Sequence, residues 1–138
     1  VSYLLDTNTV SELMKPVPEA SVLSWLGQFE NECFLCAITV GEIERGIALL
    51  PAGRKKGRLQ EAFQDFLGAT EHRILSFDVV VARRWATLTG IAQRKGRTLP
   101  VLDSMMEATA LHWDLTLITR NVLDFREART IDPWKQRA

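Results

Sequence analysis

The sequence predicts an α/β domain: one parallel sheet of four to five strands, flanked by helices on both faces. Three observations carry this. Short apolar runs rich in strand formers (YLL, FLCAI, ILSF, TLIT) alternate with longer segments of helical periodicity, and that alternation gives parallel strands joined by crossover helices. The first run stops at Asp6 and turns at once into a polar, helix-capping stretch, which is how an open sheet brings a side chain to its carboxyl edge. Finally, 138 residues at 46% hydrophobic and 25% charged, with no repeat, low-complexity tract or linker, fit one domain over 1–138 with a real core.

In chain order, 3–5 is a short buried strand. A helix follows to about Met14, stopped by Pro16 and Pro18, which cannot sit in a helix interior. Residues 20–29 have helical periodicity with Ser21 near the start. The second strand is expected over 34–38, then a helix from about Val40 to Leu50 that Pro51 and Gly53 end. Residues 59–67 read as helix, 74–77 as the third strand, and 79–95 as a long amphipathic helix closed at Gly96. After Pro100 come a helix over 101–113, a strand over 116–119 and a last short strand near 130–131.

Composition excludes several classes. No stretch approaches the ~20 apolar residues of a membrane span, and the N-terminal run is too short for a signal peptide, so a cytoplasmic protein is expected. Cys33 and Cys36 are spaced as C-x-x-C, but in a strand residues three apart face opposite sides. Neither His72 nor His112 stands in ligand spacing with them, so they read as two structural thiols of a reduced compartment. Formal charge is zero, yet residues 1–53 hold seven acids against Lys15 and Arg45, while 54–100 hold ten bases against four acids. The basic stretches 54–58 and 93–97 suit contacts to phosphates at a rim, or simply solvated helix ends.

Acids recur where Asp6 stands. Glu42 is placed in the first turn after the second strand, where Thr39 and Glu42 also make a capping box. Asp103 opens the helix after Pro100, and Asn121 and Asp124 fall just past the fourth strand. Singly, each has an ordinary structural role. Together, carboxylates converging without bases repel one another in a cleft, and a divalent cation is the simplest remedy. Oxygen ligands without His or Cys suit Mg²⁺ or Mn²⁺, the apparatus of phosphodiester hydrolysis.

The ordered set LLDTN, ITVGEIERGI, LPVLDSMMEATAL, LTLITRNVLDF and DPW resembles the PIN-domain ribonucleases, in particular the VapC-type toxins of toxin–antitoxin pairs close to the FitB-like branch. The resemblance covers nearly the whole chain. It implies a divalent-metal acidic pocket, endonucleolytic cleavage of RNA leaving a 5′-phosphate, inhibition by a small VapB-like antitoxin lying over the toxin, and a homodimer with higher assembly on the antitoxin. Carried over by position, Asp6, Glu42 and Asp103 correspond to the metal-binding and catalytic acids. Thr7, Asn8, Thr119 and Asn121 are the supporting residues, of which Thr7 and Asn8 can orient the carboxylates or a water. Asn121 stands where the family has a fourth acid, and Asp124 is the residue able to restore the charge. Asp6 and Asp103 are expected to hold the first ion, with Glu42 sharing it or acting as base through its water.

Helices 20–29 and 59–67 look apolar enough on one side to leave a groove, with Trp25, Phe63 and Phe66 as anchors for a partner helix or as ordinary core. Two other classes compete. An aspartyl phosphohydrolase would carry a second acid two residues after Asp6, where this chain has Asn8. A non-catalytic RNA- or protein-binding module is the other, and Asn121 leaves room for it.

Overall fold

Strands β1 (Tyr3–Leu5), β2 (Cys33–Cys36), β3 (Ile74–Leu75), β4 (Thr116–Ile118) and β5 (Thr130–Ile131) form one sheet in the order β3-β2-β1-β4-β5 in this computed structural model, which describes residues 1–136. Every pairing is parallel. The last two positions of the expected domain lie outside the described residues. The helices are α1 (Thr7–Leu13), α2 (Ala20–Phe29), α3 (Ala37–Ala48), α4 (Arg54–Thr70), α5 (Val79–Arg94) and α6 (Val101–His112).

Side-chain alternation along the strands builds two cores. Tyr3, Leu5, Cys33, Leu35 and Ile118 face α1 to α4 and meet Val10, Trp25, Ile43, Ile47 and Phe63. Leu4, Cys36 and Leu117 face the other way and meet Met106 and Ala110 of α6, with Leu115 and Phe125. Cys33 and Cys36 thus lie in opposite cores, both free and buried, as the period of a strand requires. On the second face α5 packs along α6. Among the described residues no helix is long and apolar enough to cross a membrane.

Two expectations need correction. The second strand ends at Cys36, and α3 begins at Ala37 instead of about Val40. Thr39 and Glu42 therefore lie inside the helix, Glu42 beyond its first turn, and no capping box forms: Cys36 is the N-cap and makes no side-chain cap bond. Helix α4 starts at Arg54, five residues before the expected start at Leu59. The stretch RKKGR, apart from its glycine, consists of good helix formers whose charges face solvent, and Gly53, at φ +155°, supplies the turn that lets a helix begin there. Of the two readings of Trp25 and Phe63, the structure shows ordinary core: Trp25 packs edge-on to Tyr3 with ring centroids 5.0 Å apart, and Phe63 stacks on the half-buried Phe66 at 6.4 Å.

Candidate active site

Chain order reverses direction at β1. The first three strands run outward on one side and β4 returns to the other, so the switch point lies between β1 and β4. In open parallel sheets this crevice, at the carboxyl ends of the strands, is where ligands bind. Asp6 and Thr119 end the two strands that border it. The Asp6 N–H donates to the Ile118 carbonyl at 3.1 Å, locking the two strand ends together.

Asp6 is buried, and its Oδ1 accepts the Thr9 N–H at 2.8 Å and the Thr9 hydroxyl at 2.7 Å. That hydroxyl also lies 3.0 Å from the Ile118 carbonyl. Asp6 is therefore the N-cap of α1 and an acid at the crevice at once. Burial raises its titration above the ordinary carboxylate range, hydrogen bonding from Thr119 and Thr9 opposes the rise, and the negative charge of Asp132 adds to it. Glu42, half-buried on α3, accepts the Thr7 hydroxyl at 2.6 Å through Oε1. Asp103, half-buried in the first turn of α6, is also raised: burial comes first, then the charges of Glu42, Asp124 and Asp6. Asp124 is exposed in the 3₁₀ turn Val122–Asp124.

The fold thus brings Glu42, Asp124 and Asp6 close enough to Asp103 for their charges to act on it, and among the described residues no cation is among the groups acting on it. Their donor set, carboxylate oxygens alone, fits a hard divalent ion. Among the described residues no three acidic, His or Cys side chains close to the spacing of a coordination shell. Two of the carboxylates instead accept threonine hydroxyls, Asp6 from Thr9 and Glu42 from Thr7.

The supporting residues divide. Thr7 orients Glu42, and Thr119 is buried beside Asp6 with its Oγ accepting the Asn121 N–H at 3.0 Å. Asn8 and Asn121, both exposed, are not among the carboxylates' hydrogen-bond partners; their side chains line a separate pocket with Arg120 and Trp134. Asn8 makes no bond to the carboxylates because consecutive residues of a helix point about 100° apart. Two residues were missed. Thr9, two places beyond Thr7, carries both bonds to Asp6. Asp132, buried just past β5, stands near enough to Asp6 to affect it. The signal for Asp132 is that it is again an acid just past a strand, inside DPW.

Next to Glu42 opens an apolar groove of about 450 Å³ between α1, α3 and α4, lined by Met14, Ile43, Ile47, Leu50 and Leu59, with Lys55 and Arg58 at its rim.

Comparison with known proteins agrees with this fold. The chain is 38% identical over 135 residues to the Toxin FitB of Neisseria gonorrhoeae, covering 95% of this chain and 97% of that protein. It is 35% identical over 136 residues to the VapC ribonuclease Y4jK of Sinorhizobium fredii, covering 96% and 97%. The crystal structure of FitAcB from Neisseria gonorrhoeae superposes with a TM-score of 0.88 at 36% identity, over 97% of this chain and 99% of that one. The family profile described as PIN domain matches residues 3–129, from the first strand to the threshold of the last, and the chain belongs to the PIN-domain family.

Proposed function

We propose that this protein is a metal-dependent endoribonuclease, the toxin of a VapBC-type toxin–antitoxin pair, acting in the cytoplasm. One observation carries the reading: a carboxylate-only cluster at the switch point of a parallel sheet, in a family of metal-dependent nucleases. The relatives named as a toxin and as a ribonuclease support it over nearly their whole length.

Asp6, Asp103 and Glu42 would hold Mg²⁺ or Mn²⁺, with Asp124 in reserve at the open side. When bound, such an ion supplies an activated water and charge stabilisation for in-line displacement at phosphorus. The chain's own residues do the rest. Thr9 fixes the rotamer of Asp6 through one carboxylate oxygen, and Thr119 adds a hydrogen bond to the same side chain. Thr7 holds Glu42 on the cleft side of α3, where a carboxylate can accept a proton from a nearby water. The basic first turns of α4 carry Lys55 and Arg58 to the groove rim, where phosphates of an RNA strand meet them.

A VapB-like antitoxin is the proposed partner, its apolar segment lying in the groove between α1, α3 and α4. This places the partner site beside Glu42, so occupying it also closes the approach to the cleft. A homodimer, with higher assembly on the antitoxin, completes the proposed organisation.

The test is cleavage of a labelled RNA by antitoxin-free protein with Mg²⁺, Mn²⁺ or chelator, beside Asp103→Asn. Cutting is expected with either ion and abolished by chelator, with Asp103→Asn slower by roughly 10²-fold or more. A folded parent that binds RNA and cuts none with either ion overturns the enzymatic reading in favour of a binding module.

A further inference from the structure

Arg120 and Trp134 form a feature of the same sheet edge that hydrolysis does not use. The guanidinium carbon of Arg120 lies 4.3 Å from the centroid of the Trp134 ring, the distance of a guanidinium resting on an aromatic face. Among the described residues Arg120 makes no ion pair. Backbone contacts hold both partners in place. The Thr119 N–H donates to the Ile131 carbonyl at 3.0 Å and the Asn121 N–H to the Thr119 hydroxyl at 3.0 Å, fixing the chain on either side of Arg120. The Trp134 N–H donates to Asp132 Oδ1 at 2.9 Å, and the Trp134 carbonyl accepts the Ser21 hydroxyl at 3.2 Å.

The pair walls a pocket of about 410 Å³ whose other sides include Asn8, Lys15 and Asn121. Glu12 at its margin is already engaged, with Lys15 Nζ at 2.8 Å from Oε1 and the Glu19 N–H at 3.0 Å from Oε2. The Arg120 charge also acts on Glu12. Beside Ser11, Glu12 and Lys15, the pocket presents a flat cation, an indole and two primary amides. Aromatic rings and guanidinium planes take the π-face of an unpaired base, and an amide offers donor and acceptor together to a base edge. Asn8 comes two residues after Asp6 and Asn121 two after Thr119, so the pocket lies at the same carboxyl edge of the sheet as the acids.

We propose that this pocket is a base-binding subsite for single-stranded RNA, in which one unpaired base stacks on the face of the Arg120 guanidinium turned away from Trp134, the indole backing that plane, while Asn8 and Asn121 read the base edge, setting base preference beside the cut. The inference rests on the ribonuclease reading and adds specificity-determining residues to it.

The test has two arms. In the first, the purified chain cuts a randomised single-stranded RNA pool, the ends are sequenced, and the parent is compared with Arg120→Gln and Arg120→Lys. The parent is expected to prefer a base at a position beside the cut, Arg120→Gln to weaken that preference about tenfold, and Arg120→Lys to fail to restore it, since lysine keeps the charge and loses the plane. In the second, tryptophan fluorescence is titrated with each of the four ribonucleoside monophosphates. Quenching in the parent is expected to disappear in Trp134→Phe.

A parent that cuts with a preference Arg120→Gln leaves intact overturns the subsite while the ribonuclease reading stands. The same holds if that variant keeps the preference and loses antitoxin affinity, which reassigns the pair to the protein partner. A parent that cuts no RNA but shows quenching lost in Trp134→Phe removes the ribonuclease reading and supports the pocket as a nucleotide site. Absence of both preference and quenching overturns the subsite.

Discussion

Thr7 and Thr9 show how little chemistry separates structure from function at this site. Each places a hydroxyl on a carboxylate, Thr9 on Asp6 at 2.7 Å and Thr7 on Glu42 at 2.6 Å, and groups that orient metal-binding carboxylates are worth about 10–100-fold in metal affinity. Thr7→Val is therefore expected to raise the Mn²⁺ concentration that half-activates cleavage by roughly tenfold, with Thr7→Ser restoring it; a Thr7→Val variant with parental Mn²⁺ activation would remove Thr7 from the site. The thiols are the opposite case. Burial pushes Cys33 up to about 12 and raises Cys36 as well, so almost no thiolate is present at neutral pH. A thiol reagent is expected to label neither residue in the folded protein and both after denaturation; fast labelling of folded protein would contradict burial in the two cores. At this scale the sequence located Asp6 and passed over Asp132, though the same strand-ending signal marks both. It could not separate Thr7 from Asn8, because which side of a helix faces a cleft depends on what the helix packs against.

At the scale of elements, helix ends with their own chemistry were legible and those without were not. Helix α5 closes at Gly96 with φ +82°. The Arg97 N–H donates to the Ala92 carbonyl at 2.9 Å and the Gly96 N–H to Gln93 at 3.0 Å, the paired bonds of a Schellman turn. Only glycine adopts that backbone without cost, so Gly96→Ala is expected to destabilise by about 1 kcal/mol and lower the Tm by roughly 4 °C in calorimetry. An unchanged Tm would mean the turn relaxes to another closure. The start of α3 carried no such mark. FLCAITV is apolar and rich in residues that suit strand and helix alike, and its N-cap, Cys36, makes no cap bond, so only packing of Thr39 into the core decides where strand gives way to helix. That three-residue shift is what moved Glu42 out of the first turn.

The whole molecule concentrates its unfavourable electrostatics at one edge. Five parallel strands in the order β3-β2-β1-β4-β5 make the switch point, and burial there raises Asp6 and Asp103, with Glu42, Asp124 and Asp132 adding like charge. The alternation of strands and helices made this edge predictable from sequence; the order of strands, set by which faces bury best, was not. The sign of the pH effect follows. Both acids titrate higher in the fold than the ordinary 3.8, so the fold prefers them protonated. Their contribution to stability is fully present below that value and is lost as pH rises through the raised values. On the proposed function a divalent ion would bind the ionised, folded form and recover the loss, adding ~2.7 kcal/mol at about a hundred times its Kd. Thermal unfolding with and without Mn²⁺ is therefore expected to show a larger rise in Tm near neutral pH than near about pH 5. Asp103→Asn removes one of the repelling charges: it should raise the Tm of ion-free protein by a few degrees at neutral pH, where about 1 kcal/mol is worth roughly 4 °C, and forfeit most of the Mn²⁺ increment. A variant less stable than the parent without ions would mean that Asp103 is held by attraction, and that the acidic edge is a structural network with no need of a metal.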